Sequence, residues 1–133
     1  MRLNIVTPVG AKVEAEVSAV TAPGTAGELG ILPGHRALIT SLAIGKFTYL
    51  QDGRSHHLAV NEGFMEIHDD VVTVVTETAE TPEEIDTGRA QLSKVMAEKE
   101  LVQLDATTQR ELSFQARAKL ARSENRIAVA KLK

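Results

Sequence analysis

The feature that most constrains the fold is a change in hydrophobic period near Thr81. Before that point, short apolar runs recur about every ten residues with turn signals between them, which is typical of an antiparallel β-sandwich or small barrel. After it, apolar residues recur at spacings of three and four, as on one face of an α-helix. The sequence therefore predicts an α+β chain, with an N-terminal β-sandwich domain at residues 1–84 and a C-terminal antiparallel helical hairpin domain at residues 85–133.

The turn signals between the predicted strands are specific. Asp52-Gly53 lies between apolar runs at residues 46–50 and 55–60, and this dipeptide favours a two-residue hairpin turn. Residues 13–20 alternate apolar and polar side chains, which predicts one continuous strand with one face in solvent. The remaining predicted strands are residues 3–6, 37–41, 64–67 and 71–76.

The stretch Gly27–His35 reads GELGILPGH. Its three glycines and its proline predict a segment that turns sharply and does not form a helix. The large apolar side chains Leu29, Ile31 and Leu32 either anchor this segment on the core or face a partner. The glycine spacing does not match a dinucleotide-binding loop, and no Gly-Lys-Ser/Thr follows, so the stretch does not predict a phosphate site.

Composition and charge exclude several function classes. The chain has no cysteine, which excludes disulfides and thiolate metal sites. Adjacent residues of a strand point to opposite faces, so His56-His57 does not form a metal pair. No nucleophile has a base in supporting context, which argues against catalysis. With no signal peptide and no apolar run of about 20 residues, we expect membrane association only through partners.

The net charge of −3 is unevenly distributed. Residues 1–80 carry five basic and ten acidic side chains, whereas residues 110–133 carry seven basic and two acidic ones. An acidic body and a basic tail without interleaved aromatic residues argue against nucleic-acid binding. The basic tail is either a solvated helix face or a surface for an acidic protein partner.

The second half of the chain predicts two helices. Thr81-Pro82-Glu83-Glu84 predicts a helix start, with a Thr cap, Pro at the first helical position and Glu at the third. We expect one helix from Pro82 to about Leu104 and another from about Thr108 to Ala130. The predicted inward residues are Ile85, Leu92, Val95, Met96 and Val102 on the first helix, and Leu112, Ala116, Leu120, Ser123 and Ile127 on the second. The second stripe is thin, so we expect a weakly held hairpin.

Charged residues converge when this hairpin is closed about a turn near residue 106. Asp86 becomes level with Arg126, and Arg89 becomes nearly level with Arg122. This group is either an ion-pair cluster that holds the hairpin closed or an anion site, because guanidinium groups suit phosphate. The spacing leaves both interpretations open.

Several motifs in order resemble the epsilon subunit of F-type ATP synthases. They are Gly27–His35 with its continuation to Thr40, residues 59–67 (AVNEGFMEI), residues 72–80 (VTVVTETAE) and the helical tail at residues 85–133. The resemblance covers nearly the whole chain. It implies a non-catalytic subunit of the central stalk, peripheral to the cytoplasmic face of a bacterial cell membrane. Such a subunit binds the gamma subunit and the c ring, helps to couple proton transport to ATP synthesis, and inhibits ATP hydrolysis through its C-terminal helices.

The resemblance also implies two sites. The c-ring interface would consist of Glu28, Leu29, Ile31, Leu32 and His35. An ATP-binding motif of some bacterial relatives, Ile-Asp-x-x-Arg-Ala, would consist of Ile85, Asp86, Arg89 and Ala90, together with Arg122 and Arg126. ATP would be a regulatory ligand there, and no cofactor would be required. One departure is Met96, which stands where ATP-binding relatives carry another arginine. The basic second helix would bind the alpha and beta subunits of the catalytic head.

Two alternatives remain from the residues alone. One is an unrelated β-sandwich adaptor whose helices only cap the fold. The other is an enzyme with a site on the sandwich, against which the absence of a convergent acid–base set argues. Co-purification with a gamma subunit would distinguish a stalk subunit from an adaptor.

Overall fold

The computed structural model describes residues 1–133, which divide into two compact units, Met1–Thr81 and Pro82–Lys133. The first unit consists of β-strands and the second of helices, which confirms the predicted fold class. No helix of the chain combines the length and the apolar character needed to cross a bilayer.

The first unit contains ten strands. They are β1 (Arg2–Thr7), β2 (Gly10–Glu16), β3 (Ala19–Gly24), β4 (Gly27–Ile31), β5 (Leu38–Leu42), β6 (Gly45–Gln51), β7 (Arg54–Val60), β8 (Gly63–His68), β9 (Val71–Thr76) and β10 (Ala79–Glu80). Strands β10, β7, β6, β3 and β4 form one half of the sandwich, and β5, β8, β9, β1 and β2 form the other. The halves join where Gly24 of β3 pairs with Leu42 of β5. Neighbouring strands are antiparallel except β1 and β9, which are parallel.

The core lies between the two halves and is mainly aliphatic. Strand alternation turns every second side chain inward, as at Leu3 and Ile5 of β1 and at Val72 and Val74 of β9. Phe47 is the one aromatic side chain that is fully buried there. The other fully buried large residues are Ile31, Leu42, Leu58, Met65, Ile67, Val20 and Val60.

The predicted turn at Asp52-Gly53 is confirmed. Both residues have positive φ, 51° at Asp52 and 77° at Gly53, as a type I′ hairpin turn requires. The β8–β9 turn has the same backbone signature without glycine, with φ of 49° at Asp69 and 62° at Asp70. Aspartate tolerates this left-handed region better than most residues because its short polar side chain bonds locally.

Two strand predictions are wrong in detail. Residues 13–20 do not form one strand, because the chain leaves β2 at Glu16 and begins β3 at Ala19 in the other half. The Val17 N–H donates to the Met1 carbonyl at 2.8 Å, and the Ser18 N–H donates to the Leu50 carbonyl at 2.9 Å. The apolar alternation continues through this crossing since both halves face the same core. In addition, Gly27–Ile31 is a strand paired with β3, so only the end of the glycine-rich stretch turns.

The helices are α1 (Thr87–Gln103) and α2 (Arg110–Ala130), preceded by a single 3-10 turn at Pro82–Glu84. The predicted start of the first helix at Pro82 is therefore wrong. Asp86 is the N-cap instead, and its Oδ1 accepts a hydrogen bond from the Arg89 backbone N–H at 3.0 Å. The sequence offers two candidate N-caps, Thr81 and Asp86. Asp86 caps the helix, and its carboxylate satisfies a backbone amide that would otherwise be unpaired.

The buried residues of the hairpin are small. Within the helices they are Ala90, Ala97, Ser113, Ala116 and Ser123, with Val129 and Ala130 at the end of α2. The predicted inward face of α1 is wrong at Leu92, Val95, Met96 and Val102, which are all exposed, and correct at Ile85. On α2, Ala116 and Ser123 are confirmed and Leu112 is exposed. Helices that approach through small side chains come close together, which leaves larger neighbours outside the contact.

Candidate functional site

The predicted c-ring residues lie on β4 and on the turn that follows it, and strand alternation divides them. Ile31 is only 1% exposed and belongs to the core, so its side chain is not accessible to a partner in this fold. Leu29 is partly buried and packs against the same core. Glu28 and Leu32 point to the other side, and Leu32 is 63% exposed.

Residues Leu32–His35 form a tight turn. The His35 N–H donates to the Leu32 carbonyl at 3.1 Å, and Gly34 has a φ of 85°. Pro at the second position and Gly with positive φ at the third are typical of a type II turn. The His35 Nδ1 lies 2.8 Å from the carbonyl oxygen of Arg36, which restrains the ring.

Glu28 and this turn lie at opposite ends of β4. Glu28 pairs with Pro23 close to the β3–β4 connection. Leu32 lies four positions further along the chain, a distance of roughly 13 Å. The structure therefore keeps Glu28, Leu32 and His35 accessible along an elongated strip, which we call the β4 strip, and does not gather them at one point.

A second exposed surface, which the sequence did not predict, lies on the sandwich. Val6, Ile39, Phe64 and Val75 project outward from β1, β5, β8 and β9, and we call this set the outer apolar face. Phe64 is paired with Val75, and Val75 is paired with Val6. Ile39 is two residues from Ser41, the β5 partner of Phe64, so it lies diagonally across from that ring.

The exposure on this face is large for a folded protein. Phe64 is 64% exposed and Ile39 is 74% exposed. Contiguous apolar side chains on a surface mark interaction sites. The sequence contained a signal for this face, because Val71 and Val75 are apolar at outward positions of a strand whose inward positions, Val72 and Val74, are apolar as well. That pattern does not reveal which valines face out, since the phase of the alternation depends on the rest of the sheet.

The predicted nucleotide residues are divided between the start of α1 and the second half of α2. Ile85 and Ala90 are buried, Asp86 caps α1, and Arg89 is exposed in the first turn of that helix. Arg122 and Arg126 are half-buried on α2, eight and four residues before its last residue, Ala130. The 3-10 turn at Pro82–Glu84 contacts α2, which brings that end of α2 close to the start of α1.

This arrangement is electrostatically suited to an anion. The N-terminus of α1 carries the positive end of the helix dipole, Arg89 lies in its first turn, and Arg122 and Arg126 lie in the second half of α2. The carboxylate of Asp86 accepts a hydrogen bond from the Arg89 backbone amide, and two more acidic residues, Glu83 and Glu84, lie in the preceding 3-10 turn.

Three comparisons with known proteins agree with one another. The family model for the β-sandwich domain of the ATP synthase delta/epsilon chain matches residues 1–82. The ATP synthase epsilon chain of Geobacter sp. (strain M21) is 43% identical over 131 residues, covering 98% of this chain and 93% of that relative. The epsilon chain of Pelotomaculum thermopropionicum is 48% identical over 100 residues, which are 75% of each chain.

Solved structures give the same result over the whole fold. A chain in the OSCP/F1/c-ring structure of the Euglena gracilis mitochondrial ATP synthase matches with a TM-score of 0.82 at 25% identity, over 98% of this chain and 80% of that one. A chain in the central stalk and c-ring structure from Tetrahymena thermophila shares the fold, with a TM-score of 0.64 at 13% identity. The match of sequence, β-sandwich and helical hairpin means that this chain belongs to the epsilon-chain family of ATP synthases.

Proposed function

We propose that this chain is a non-catalytic subunit in the central stalk of an F-type ATP synthase. It binds the gamma subunit and the c ring and helps to couple proton transport to ATP synthesis. It reaches the cytoplasmic face of the bacterial membrane through these partners. The observation that carries the proposal is the outer apolar face, because a chain that works alone gains nothing from exposing Phe64 and Ile39 on one sheet.

The two surfaces of the sandwich suit two different partners. Permanent interfaces are more apolar than transient ones, with aromatic residues enriched at their centres. The outer apolar face therefore suits the gamma subunit, which would remain bound to it during rotation. The β4 strip, with Glu28, Leu32 and His35, combines a charge, an exposed leucine and an imidazole, and it suits the polar loops of a c ring.

The gamma contact is tested by Phe64→Glu. We expect this change to lower the affinity for the isolated gamma subunit about 30-fold or more, because a central aromatic side chain contributes on the order of 2 kcal/mol or more to an interface. Val9→Glu is the matched control, since Val9 is 98% exposed and lies outside the outer apolar face. Affinity is measured by titration, and thermal unfolding of each variant checks the fold. Equal gamma affinity in the two variants would contradict the proposal.

A second proposed function is the inhibition of ATP hydrolysis by the hairpin, with ATP as its regulatory ligand. The basic helix α2 would bind the catalytic head in one state and pack against α1 in the other. Support comes from guanidinium groups on both helices, Arg89 on α1 and Arg122 and Arg126 on α2, because ATP held by both sets would require the helices to be together.

Calorimetry with ATP on the isolated protein tests this site. We expect binding that Arg126→Ala weakens more than Lys131→Ala, since Lys131 lies beyond the end of α2. The absence of binding heat at millimolar ATP would contradict the proposed ATP site. Met96→Arg would then test whether the missing arginine explains the lack of binding.

A further inference from the structure

A hydrogen bond joins two turns of the sandwich that are far apart in sequence. The Gly34 N–H donates to the Asp70 Oδ1 at 2.8 Å. Asp70 belongs to the β8–β9 turn, and its own carbonyl accepts a hydrogen bond from the Arg2 N–H at 3.0 Å. The carboxylate is thus fixed to the sheet through its own backbone and reaches out to the Leu32–His35 turn.

The Leu32–His35 turn has few other local restraints. It follows a short strand that is paired on one side only, and the His35-to-Leu32 hydrogen bond closes the turn without attaching it to the sheet. Leu32, Pro33 and Gly34 are all exposed, so packing does not hold them. A hydrogen bond to a charged acceptor is about twice as strong as one to a neutral acceptor, which makes Asp70 the main polar attachment of the turn.

The strands that lead to Asp70 also carry the outer apolar face. Phe64 lies on β8 and Val75 lies on β9, and the turn at Asp69-Asp70 connects these strands. About four residues of strand, roughly 13 Å, separate Phe64 from this turn. One antiparallel pair therefore extends from the outer apolar face at one end to the attachment of the Leu32–His35 turn at the other.

We propose that Asp70 is a positioning residue, which holds Leu32 and His35 in the orientation that contacts the c ring and transmits force between that contact and the gamma-binding strands. The inference rests on the proposed c-ring contact. It adds the β8–β9 turn to that contact as its support and makes β8 and β9 the rigid link between the two rotor partners.

The test uses Asp70→Gly, Asp70→Asn and the control Asp69→Gly. Glycine accepts the φ of 62° at residue 70 and of 49° at residue 69, so both glycine variants keep the turn. Asparagine keeps the acceptor oxygen and the left-handed backbone but removes the charge, which lies 3.9 Å from the Met1 amino group. Asp69 pairs with His68 at 3.3 Å and does not hold Gly34, so its loss controls for a general weakening of the turn.

The first measurement is amide hydrogen exchange at Gly34 in the isolated full chain. We expect exchange to accelerate about tenfold in Asp70→Gly, since one hydrogen bond to a charged acceptor is lost. We expect Asp70→Asn to be close to the unaltered protein and Asp69→Gly to have no effect. Unchanged protection of Gly34 in Asp70→Gly would overturn the inference at once.

The second measurement is the ratio of proton pumping to ATP hydrolysis in membranes containing the assembled enzyme. We expect Asp70→Gly to lower this ratio and Asp70→Asn to keep it close to that of the unaltered enzyme. Gamma binding should be unchanged in both variants. Equal loss of gamma binding and pumping would mean that Asp70 is merely structural and would overturn the inference. If Leu32→Asp lowers pumping and Asp70→Gly does not, the positioning role is wrong while the c-ring contact stands. If neither changes pumping, the proposed c-ring contact itself fails.

Discussion

Ile31 and Leu32 are neighbours in the chain but have opposite environments. The Ile31 side chain is in the core, whereas Leu32 is 63% exposed at the start of a tight turn. The difference arises because adjacent residues of an extended chain point to opposite sides. A partner surface on β4 can therefore use only every second residue, and the intervening residues serve the fold.

This division predicts different outcomes for the same substitution at the two positions. Ile31→Ala should lower the free energy of unfolding by about 2–5 kcal/mol, because it leaves a cavity in the core. Leu32→Ala should change the free energy by less than about 0.5 kcal/mol and instead reduce proton-coupled ATP synthesis. Urea unfolding of the isolated protein measures the first effect. Similar unfolding midpoints for the two variants would contradict the assigned burial.

His57 predicts a pH dependence of stability. Burial, followed by the charges of Lys46 and His56, lowers the pKa of the His57 imidazole below its usual value, and its Nδ1 lies 3.0 Å from the Thr48 hydroxyl. The unfolded state then binds a proton more readily, so this contribution to stability is complete above about pH 6.5 and is lost as the pH falls through the lower folded-state pKa.

Substitution of His57 isolates this contribution. In His57→Gln the glutamine amide can still form a hydrogen bond with Thr48, but it does not titrate. The urea midpoint of unfolding should therefore fall less between about pH 7.5 and about pH 5 in this variant than in the unaltered protein. Urea titrations of both proteins at each pH measure the change. Parallel pH profiles would mean that His57 does not contribute.

At the scale of elements, the hairpin is built from small buried residues and large exposed ones. Apart from Val129, the buried positions of the two helices hold alanines and serines, whereas Val102 is 86% exposed. Such a hairpin buries little apolar area, and apolar burial is the main source of its stability. A closed hairpin with a small stabilising free energy is what a segment that alternates between two states requires.

Enlarging a buried alanine should open the hairpin. Ala116→Leu should lower the stability of the helical unit by about 1–3 kcal/mol, since the added atoms have no space at a buried position. Ala121→Leu is the matched control because Ala121 is exposed on the same helix. Hydrogen exchange of the helix amides distinguishes the two, and faster exchange in both variants alike would contradict the assignment of the buried side.

At the scale of the whole molecule, the strands and the helices belong to two compact units that divide between Thr81 and Pro82. The sandwich has its own core, which contains no residue of the helical unit. Each of its strands, including the short β10, is paired within the unit. These features indicate that the sandwich can fold without the helical unit.

A fragment of residues 1–84 should therefore unfold cooperatively as a β-protein. Incorporated into the synthase in place of the full chain, it should still bind gamma and the c ring but should raise the rate of ATP hydrolysis, because the hairpin is missing. Denaturant unfolding tests the first point and hydrolysis rates across ATP concentrations test the second. A fragment that behaves as a disordered chain would show that the helices complete the fold.

The sequence by itself determined the fold class, most strand positions and the turn at Asp52-Gly53. These features depend on local signals, namely hydrophobic period, turn residues and caps. Its motifs also identified the family, which the comparisons confirm. It did not determine that Asp86 is the N-cap of the first helix, since Thr81 offered another acceptable cap.

Tertiary structure alone decided which side of an element is buried. The phase of the strands placed Ile31 inside and Phe64 outside, although both are large and apolar, because phase depends on pairing with distant strands. Tertiary structure likewise buried the small residues of α1 and left Leu92 and Val102 exposed, because two helices pack on the faces that allow the closest approach. The bond from Gly34 to Asp70 joins residues 36 positions apart. No local signal predicts such a contact, because only the closed sandwich brings the two turns together.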